Sequence, residues 1–246
     1  MAPTNTGWGG LPGVGGVGGG KGANGDGYGG YGGAGFGGAI FVRKDGSLLI
    51  TGNSTFDANG AIGGMAGEGG ASGPAAGADL FMMKGSTVII NPGATGGVDN
   101  VVTFNGTIGD DSRETFVGAQ YGSGQGAGLT IGKGLTIFNG RNTYSGQTKM
   151  EGGVLQADDG WGLNKNSNLN FNGAGTTGAL SDNTNAGVLM TSGYFSRQLG
   201  TDGTKVQWTG SGGFAAKGGD LIVNIGNLSN SQMFTPQKLT WGVTPG

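Results

Sequence analysis

The stretch GLTIFNGRNTYSGQTKMEGGVLQA (residues 134–157) contains the features that decide the expected fold. Two runs of strand-forming residues, LTIF (135–138) and GVLQA (153–157), are separated by a segment rich in Gly, Asn and Ser. Short β-rich runs bounded by turn residues are typical of an all-β protein. No 12-residue window of the chain carries a capped apolar period of 3.6 residues, so we expect almost no helix.

Similar runs recur on both sides of this stretch, many of them about 8–20 residues apart. They are AIFV (39–42), SLLIT (47–51), DLFMM (79–83), STVII (86–90), NVVTF (100–104), LTI (129–131), NLNF (168–171), GVLMT (187–191), KVQW (205–208), GFAA (213–216) and LIVNI (221–225). Two architectures fit this pattern, an antiparallel sandwich or barrel and a parallel β-helix. Asn-Gly pairs suit the hairpins of the first and the corners of the second. The many very short strands and the 8% aromatic content favour the β-helix (solenoid).

Glycine dominates the composition, with 63 of 246 residues against 6 Pro. A folded chain with so many glycines is expected to place them at tight turns that need a positive φ. The glycines are densest at the start, so we divide the chain into a Gly-rich arm or linker (1–36) and a parallel β-helix (37–246). Tyr28, Tyr31 and Phe36 are the candidate anchors of the arm.

Charge, hydropathy and cysteine content indicate which partners are not expected and how the fold would be stabilised. Thirteen basic and 15 acidic residues leave a net charge of −2 and no basic stripe, so a nucleic acid partner is not expected. The apolar runs are far shorter than a membrane span, so no membrane span is expected in this segment. A secreted protein without cysteine must draw its stability from repetitive hydrogen bonding and stacking, as repeat proteins do.

Three stretches carry a resemblance to known surface proteins of bacteria. Residues 134–157 resemble the autotransporter-associated β-strand repeat. Residues 35–64 are similar to polymorphic outer-membrane adhesins, with Phe56 and Asn59 in their Phe-x-x-Asn pattern, and 193–226 to segments that follow such repeats in large passengers. The repeat is matched at Leu135, Thr136, Asn142, Thr143, Tyr144, Gly146, Gly152, Gly153, Leu155 and Gln156. The resemblance implies a right-handed parallel β-helix, extracellular or on the cell surface of a Gram-negative bacterium.

The chain has neither His nor Cys, which excludes a Ser-His-Asp triad, a Cys-His pair and zinc bound by imidazole or thiolate. The remaining catalytic candidates are the pairs Asp110–Asp111 and Asp158–Asp159, the latter close to Trp161. Adjacent strand residues point to opposite faces, so neither pair is expected to supply two cooperating carboxylates. Each pair is therefore interpreted as a solvated turn. Asp26 alone cannot supply the six to eight oxygens of a calcium site. No catalytic residue, cofactor or metal ligand is therefore expected.

Four tryptophans have two interpretations. Exposed in a row they would stack on sugars, and buried they would cover the core, which is the favoured interpretation. They are Trp8, Trp161, Trp208 and Trp241. Much of the abundant asparagine is expected to form stacked ladders at the corners of the solenoid.

Alternation within each run predicts which side chains point inward. These are Ile40, Val42, Leu48, Ile50, Val88, Ile90, Val102, Phe104, Leu135, Ile137, Val154, Leu169, Leu189, Leu221, Val223 and Ile225. Lys44 is expected in a turn.

The expected function is a non-catalytic structural or adhesive module, a rigid rod with a host or matrix glycan or protein as its partner. A carbohydrate-active β-helix enzyme (a polysaccharide lyase or hydrolase) that uses carboxylates is the alternative. Neither the Gly-rich start nor the run KLTW (238–241) resembles a capping repeat. Because uncapped solenoid ends present unpaired strand edges, we also expect end-to-end self-association.

Overall fold

The computed structural model describes residues 32–66, 71–112, 115, 126–174 and 185–226. Within these ranges the protein is all-β, and none of the described residues lies in an α-helix. The strands are β1 (Gly35–Phe36), β2 (Ile40–Val42), β3 (Ser47–Ile50), β4 (Ser54–Phe56), β5 (Ala75–Ala76), β6 (Leu80–Met82), β7 (Thr87–Ile90), β8 (Ala94–Thr95), β9 (Val98–Asp99), β10 (Val101–Phe104), β11 (Ile108–Asp110), β12 (Leu129–Ile131), β13 (Leu135–Phe138), β14 (Thr148–Met150), β15 (Val154–Gln156), β16 (Leu169–Phe171), β17 (Gly187–Arg197), β18 (Val206–Trp208) and β19 (Gly212–Ile225).

Most strands belong to three parallel sheets. Sheet I contains β2, β6 and β11; sheet II contains β3, β7, β12, β14, β16 and β18; sheet III contains β4, β10, β13, β15, β17 and β19. The chain visits the sheets in rotation, and we call each passage a rung. Rungs 1–3 are β2-β3-β4, β6-β7-β10 and β11-β12-β13, whereas rungs 4–6 are β14-β15, β16-β17 and β18-β19. This order is compatible with the expected β-helix, and the parallel pairing rules out the antiparallel sandwich or barrel.

Two small strand pairs lie outside the three sheets. β8 and β9 form an antiparallel hairpin between β7 and β10. β1 pairs in parallel with β5, and the Phe36 ring stacks on Phe81 at 4.6 Å between centroids. The expected arm anchors Tyr28 and Tyr31 lie outside the described residues.

The interior is built from side chains that stack from one rung to the next. In sheet II one such column contains a buried apolar residue on every strand, and full burial of each contributes about 1.5–3 kcal/mol. Its members are Ile50, Ile90, Ile131, Met150, Phe171 and Trp208. In sheet III, Phe56 stacks on Phe104 at 4.6 Å, and Phe104 meets Phe138 edge to face. Each rung therefore buries its apolar face mainly against its neighbours.

The predicted inward positions are largely confirmed. Eight are buried, and Ile40, Leu48, Leu221 and Ile225 are half-buried and pack against the core. The buried ones are Val42, Ile50, Val88, Ile90, Val102, Phe104, Leu169 and Leu189.

The prediction is wrong for Leu135, Ile137 and Val154. The buried residues of β13 are Thr136 and Phe138, and the buried residue of β15 is Leu155. Val223 lies on the predicted face, opposite the buried Phe195, but is 37% exposed on β19, the last strand of sheet III. Both β13 and β15 carry apolar residues on each face, so alternation alone left their register open. The pairing of Val102 with Thr136 and of Thr136 with Leu155 decides it.

Three extended segments rich in Gly and Ala pack side by side before the first and second rungs, namely 32–36, 61–66 and 71–76. They are joined directly through their backbones. Gly64 N–H donates to Gly33 O (2.7 Å), Gly73 N–H to Gly64 O (2.9 Å) and Gly32 N–H to Ala71 O (2.9 Å). We call this arrangement the glycine bundle.

Glycine in this bundle permits close approach and does not serve a turn. A Cβ added at Gly32, Gly63 or Gly73 would lie well under 3.0 Å from a backbone carbonyl oxygen of a neighbouring segment, and none of the three has a positive φ. The expectation that glycines serve positive-φ turns holds at Gly153, with φ 62°. It is wrong for the bundle, because composition alone does not distinguish the two uses.

Replacing Gly63 by Ala is expected to lower the free energy of unfolding by about 1–3 kcal/mol, because the methyl group forces neighbouring backbone apart. Gly60→Ala is the matched control, since Gly60 is exposed, lacks a positive φ and has nothing within 4 Å of an added Cβ. Urea unfolding followed by circular dichroism measures both variants. Equal midpoints for the two would contradict the close packing of the bundle.

Candidate functional site

Asp110, the first catalytic candidate, ends β11 inside the protein. It follows Val42 and Met82 in the inward column of sheet I and is fully buried. Its carboxylate accepts hydrogen bonds from the Ser112 N–H (2.9 Å) and hydroxyl, from the Thr115 hydroxyl (3.1 Å) and from the Ser145 N–H (2.8 Å). Burial raises the pKa of Asp110, although these hydrogen bonds oppose the shift. Such a carboxylate ties two rungs together and offers no open face to a substrate.

Asp111, the neighbour of Asp110, makes a separate contact. Its Oδ1 accepts a hydrogen bond from the Lys84 N–H at 2.9 Å, in the turn that follows β6. The two carboxylates of this pair thus serve different segments of the chain.

The two carboxylates of the second pair, Asp158 and Asp159, also contact different parts of the chain. Asp158 is partly exposed and accepts hydrogen bonds from the Ser192 hydroxyl (2.9 Å) and N–H (3.3 Å), and it pairs with Lys217 at 3.2 Å. Partial burial raises the pKa of Asp158, but the Ser192 and Lys217 contacts outweigh it and leave the pKa below its ordinary value. Asp158 is therefore a surface acceptor that links rungs 4, 5 and 6.

Asp159 turns inward and forms an ion pair with Arg197, so the interpretation as a solvated turn is wrong for Asp159, as it is for Asp110. The Arg197 Nη2 lies 2.6 Å from Asp159 Oδ1, and the two side chains are only 2% and 3% exposed. Arg197 also donates to the carbonyl oxygens of Ser167 (2.5 Å) and Asn164 (3.0 Å). This buried pair was not predictable from the sequence, because Arg197 stands in an ordinary alternating run after Phe195.

The segment NTYSG (142–146) replaces a sheet I strand in rung 4. Asn142 accepts a hydrogen bond from the Ile108 N–H (2.7 Å) and donates one to Gly162 O (2.8 Å). Tyr144 is buried, and its hydroxyl lies 2.8 Å from Thr148 Oγ1. The motif residues that carried the family resemblance therefore connect successive rungs where sheet I ends.

Tyr144→Phe is expected to remove part of the alkaline loss of stability. Burial raises the pKa of Tyr144 to about 12, whereas an unfolded tyrosine ionises near pH 10. Between pH 10 and pH 12 the folded chain keeps the Tyr144 proton, whereas the unfolded chain releases it. The free energy of unfolding of the unchanged protein therefore falls by up to roughly 2–3 kcal/mol as the pH rises from about 10 towards 12. Urea midpoints of both proteins across this range measure the difference. A parallel decline in both would contradict the assignment.

A small cavity lies beside the Arg197 ion pair. Its volume is about 270 Å³, below the roughly 300–1,000 Å³ of ordinary ligand pockets. It is lined by Lys165, Asn166, Ser196, Arg197, Gln198 and Thr204. Arg197 already uses its guanidinium on Asp159 and two carbonyls, so this cavity offers little to a bound molecule.

Two tryptophans are described, and they differ. Trp208 is buried at the end of its sheet II column and packs on Phe171 at 4.9 Å between ring centroids. Trp161 is 52% exposed, and its indole N–H donates to Asn139 O at 3.0 Å. The favoured interpretation therefore holds for Trp208 alone. Trp8 and Trp241, as well as the calcium candidate Asp26, lie outside the described residues.

Stacked asparagines occur at two corners, as the sequence predicts. Asn53 Nδ2 donates to Asn100 Oδ1 at 3.2 Å, and Asn139 Nδ2 donates to Asn105 Oδ1 at 2.8 Å. The first pair sits just before sheet III, and the second follows it. Both pairs join neighbouring rungs.

Two further kinds of feature, metal-ligating clusters and membrane-spanning helices, were sought in the described ranges. No group of three or more acidic side chains that could hold a metal ion occurs there. Nor does that part of the chain contain a helix with the length and apolar character needed to cross a membrane.

No family model matches the chain, and neither the curated proteins nor the solved structures contain a match. The autotransporter resemblance thus stays a prediction, and the geometry of the described residues carries the functional argument.

Proposed function

We propose that this chain is a rigid right-handed β-solenoid that serves as a non-catalytic structural and adhesive module, an autotransporter-type passenger on a Gram-negative surface. The rotation of the chain through sheets I, II and III supports the solenoid. Parallel strands joined by crossovers are right-handed in about 98% of cases, which supports the handedness. The surface location rests on the resemblance of residues 134–157 and on the cysteine-free composition.

The observation that carries the proposal is the pair of six-stranded parallel sheets that extend from rung 1 to rung 6. Strands about 4.8 Å apart give each sheet a length of about 24 Å. A framework of this kind gains stability from repeated contacts between neighbours. It holds exposed side chains at fixed spacing, which is what a scaffold or adhesin requires.

The contacts of the four acidic candidates favour this function over the carbohydrate-active enzyme. A glycosidase needs two carboxyl groups about 5–10 Å apart across an accessible sugar site. Asp110 and Asp159 are enclosed, and Asp111 and Asp158 are engaged by Lys84, Ser192 and Lys217. Each carboxylate thus has a structural partner.

The enzyme alternative is tested by incubating the purified protein with uronate and neutral polysaccharides and measuring released reducing ends and unsaturated products. We expect no release above that of a boiled control. Reproducible release that Asp158→Asn or Asp110→Asn abolishes, with the fold retained by circular dichroism, would overturn the non-catalytic function.

End-to-end association is part of the proposed function. In the described part of the chain, β18 and β19 end sheets II and III on one side, and β3 and β4 end them on the other. The edge strand β19 covers 14 residues and exposes Ile222 at 59%. Edges that have no partner strand among the described residues can pair with another copy, and a head-to-tail contact does not close on itself.

Light scattering over a hundredfold range of concentration tests this association. We expect a mean mass that rises continuously. A single monomeric mass across the range, unchanged when residues 1–36 are deleted, would contradict it.

A further inference from the structure

Trp161 is a rigid aromatic side chain held on the outside of the protein. Its N–H donates to Asp158 O (3.1 Å), its carbonyl accepts from the Asn142 N–H (2.9 Å), and its indole N–H is fixed on Asn139 O (3.0 Å). Trp161 nevertheless remains 52% exposed. An aromatic ring already fixed in place loses little conformational freedom when a ligand binds, which favours affinity.

Polar groups that can orient a ligand lie next to this ring on Arg141 and Asn139, and Asn105 is linked to Asn139. The Arg141 guanidinium lies over the ring, 5.8 Å from its centroid, and Arg141 is exposed. Asn139 and Asn105 are exposed as well, and their side-chain amides are linked at 2.8 Å on neighbouring rungs. The amide link uses one donor and one acceptor, so further donors and acceptors of both amides remain available.

The charge on Arg141 indicates which ligand fits. No carboxylate of the described chain forms an ion pair with Arg141; the ion pairs found there involve Lys149, Arg197, Lys205 and Lys217. A guanidinium without such a partner can accept a carboxylate in a bidentate contact. An apolar sugar face can pack on the indole while hydroxyl groups bond to the amides.

We propose that Trp161, Arg141, Asn139 and Asn105 form a binding platform for an acidic oligosaccharide. The indole packs against the C–H face of a pyranose ring, Arg141 binds the carboxylate of a uronate, and the two amides bind hydroxyl groups. This inference rests on the proposed adhesive function and deepens it, since it names the ligand class and the contact surface. The platform binds the sugar without cleaving it.

The test is isothermal titration of the full chain with hexagalacturonate, and with maltohexaose as the neutral probe. We expect hexagalacturonate to bind at least tenfold more tightly than maltohexaose. Trp161→Ala is expected to weaken its binding by about thirtyfold or more, in the range of tryptophan anchors at interfaces. Trp161→Phe should keep part of the affinity, and Arg141→Ala should remove the preference for the acidic probe.

Tyr194→Ala is the matched control, because Tyr194 is similarly exposed at 54% and lies on β17. It should bind hexagalacturonate as the unchanged protein does. Circular dichroism melts identify any variant that fails to fold, and Trp161→Phe then replaces Trp161→Ala in the comparison.

Three results would overturn the proposal: no binding of hexagalacturonate to the unchanged protein, equal affinity for both probes, or unchanged binding in the folded Trp161 variants. Such a failure is distinguishable from failure of the proposed function. The solenoid, its association and its lack of catalysis are measured by distances, mass and product release, none of which depends on Trp161.

Discussion

Replacing Arg197 by Met is expected to lower the free energy of unfolding by about 3–5 kcal/mol, because it leaves the buried Asp159 carboxylate without its cation. The side chains are 2% and 3% exposed, so water cannot replace the lost partner. The carbonyl oxygens of Asn164 and Ser167 lose their donors as well. Urea unfolding measures the effect.

The Arg197 prediction has a matched control and a rescue variant. Lys205→Met removes the ion pair between Lys205 and Asp202, whose side chains are 30% and 72% exposed respectively. It should lower the free energy of unfolding by less than about 1 kcal/mol. Arg197→Met combined with Asp159→Leu should recover part of the loss, since no buried charge then remains. Equal effects of Arg197→Met and Lys205→Met would contradict the enclosed ion pair.

Leu155→Asp is expected to unfold the protein or to cost more than about 4 kcal/mol, because it places an unpaired charge in the core. Leu155 is fully buried between Thr136 and Leu189 of the neighbouring rungs. Val154→Asp, one residue earlier, places the charge on the outer face of sheet III and should cost about 1 kcal/mol or less.

Thermal melts followed by circular dichroism compare Leu155→Asp with Val154→Asp. Because a one-residue slip moves every side chain to the other face, this pair also tests the register of β15. A larger loss from Val154→Asp would show that the interior of sheet III is the opposite face.

Strand positions and most of the core were predictable, because runs such as those of β7 and β10 place two large apolar residues on one face, Val88 with Ile90 and Val102 with Phe104. The register of β13 was not predictable, since Leu135 and Ile137 compete with Phe138 and the inward Thr136 is polar. The ladders with β10 and β15 make that choice. Local alternation identifies a strand, whereas pairing decides which face is buried.

The glycine bundle and the buried polar groups were also beyond sequence pattern. Gly63 and Gly73 look like loop glycines, and only the packing of segments far apart in the chain shows why a side chain is excluded. Asp110 and Arg197 were not recognisable as interior residues, because their partners Ser145 and Asp159 lie 35 and 38 residues away along the chain. The sequence carried one signal of the platform at Trp161, namely an aromatic residue in a turn.

The stacking of parallel rungs is tested most directly by electron-spin distances on sheet III. The chain has no cysteine, so spin labels attach only to introduced ones. Thr55, Thr103, Ile137, Gln156, Met190 and Ala215 occupy equivalent positions on successive strands. With strands about 4.8 Å apart, labels at Thr55 and Ala215 should be about 24 Å apart, and labels at Thr103 and Ala215 about 19 Å. The solenoid would be contradicted if the two distances did not differ by about one strand spacing. A distance between Thr55 and Ala215 above roughly 35 Å would also contradict it.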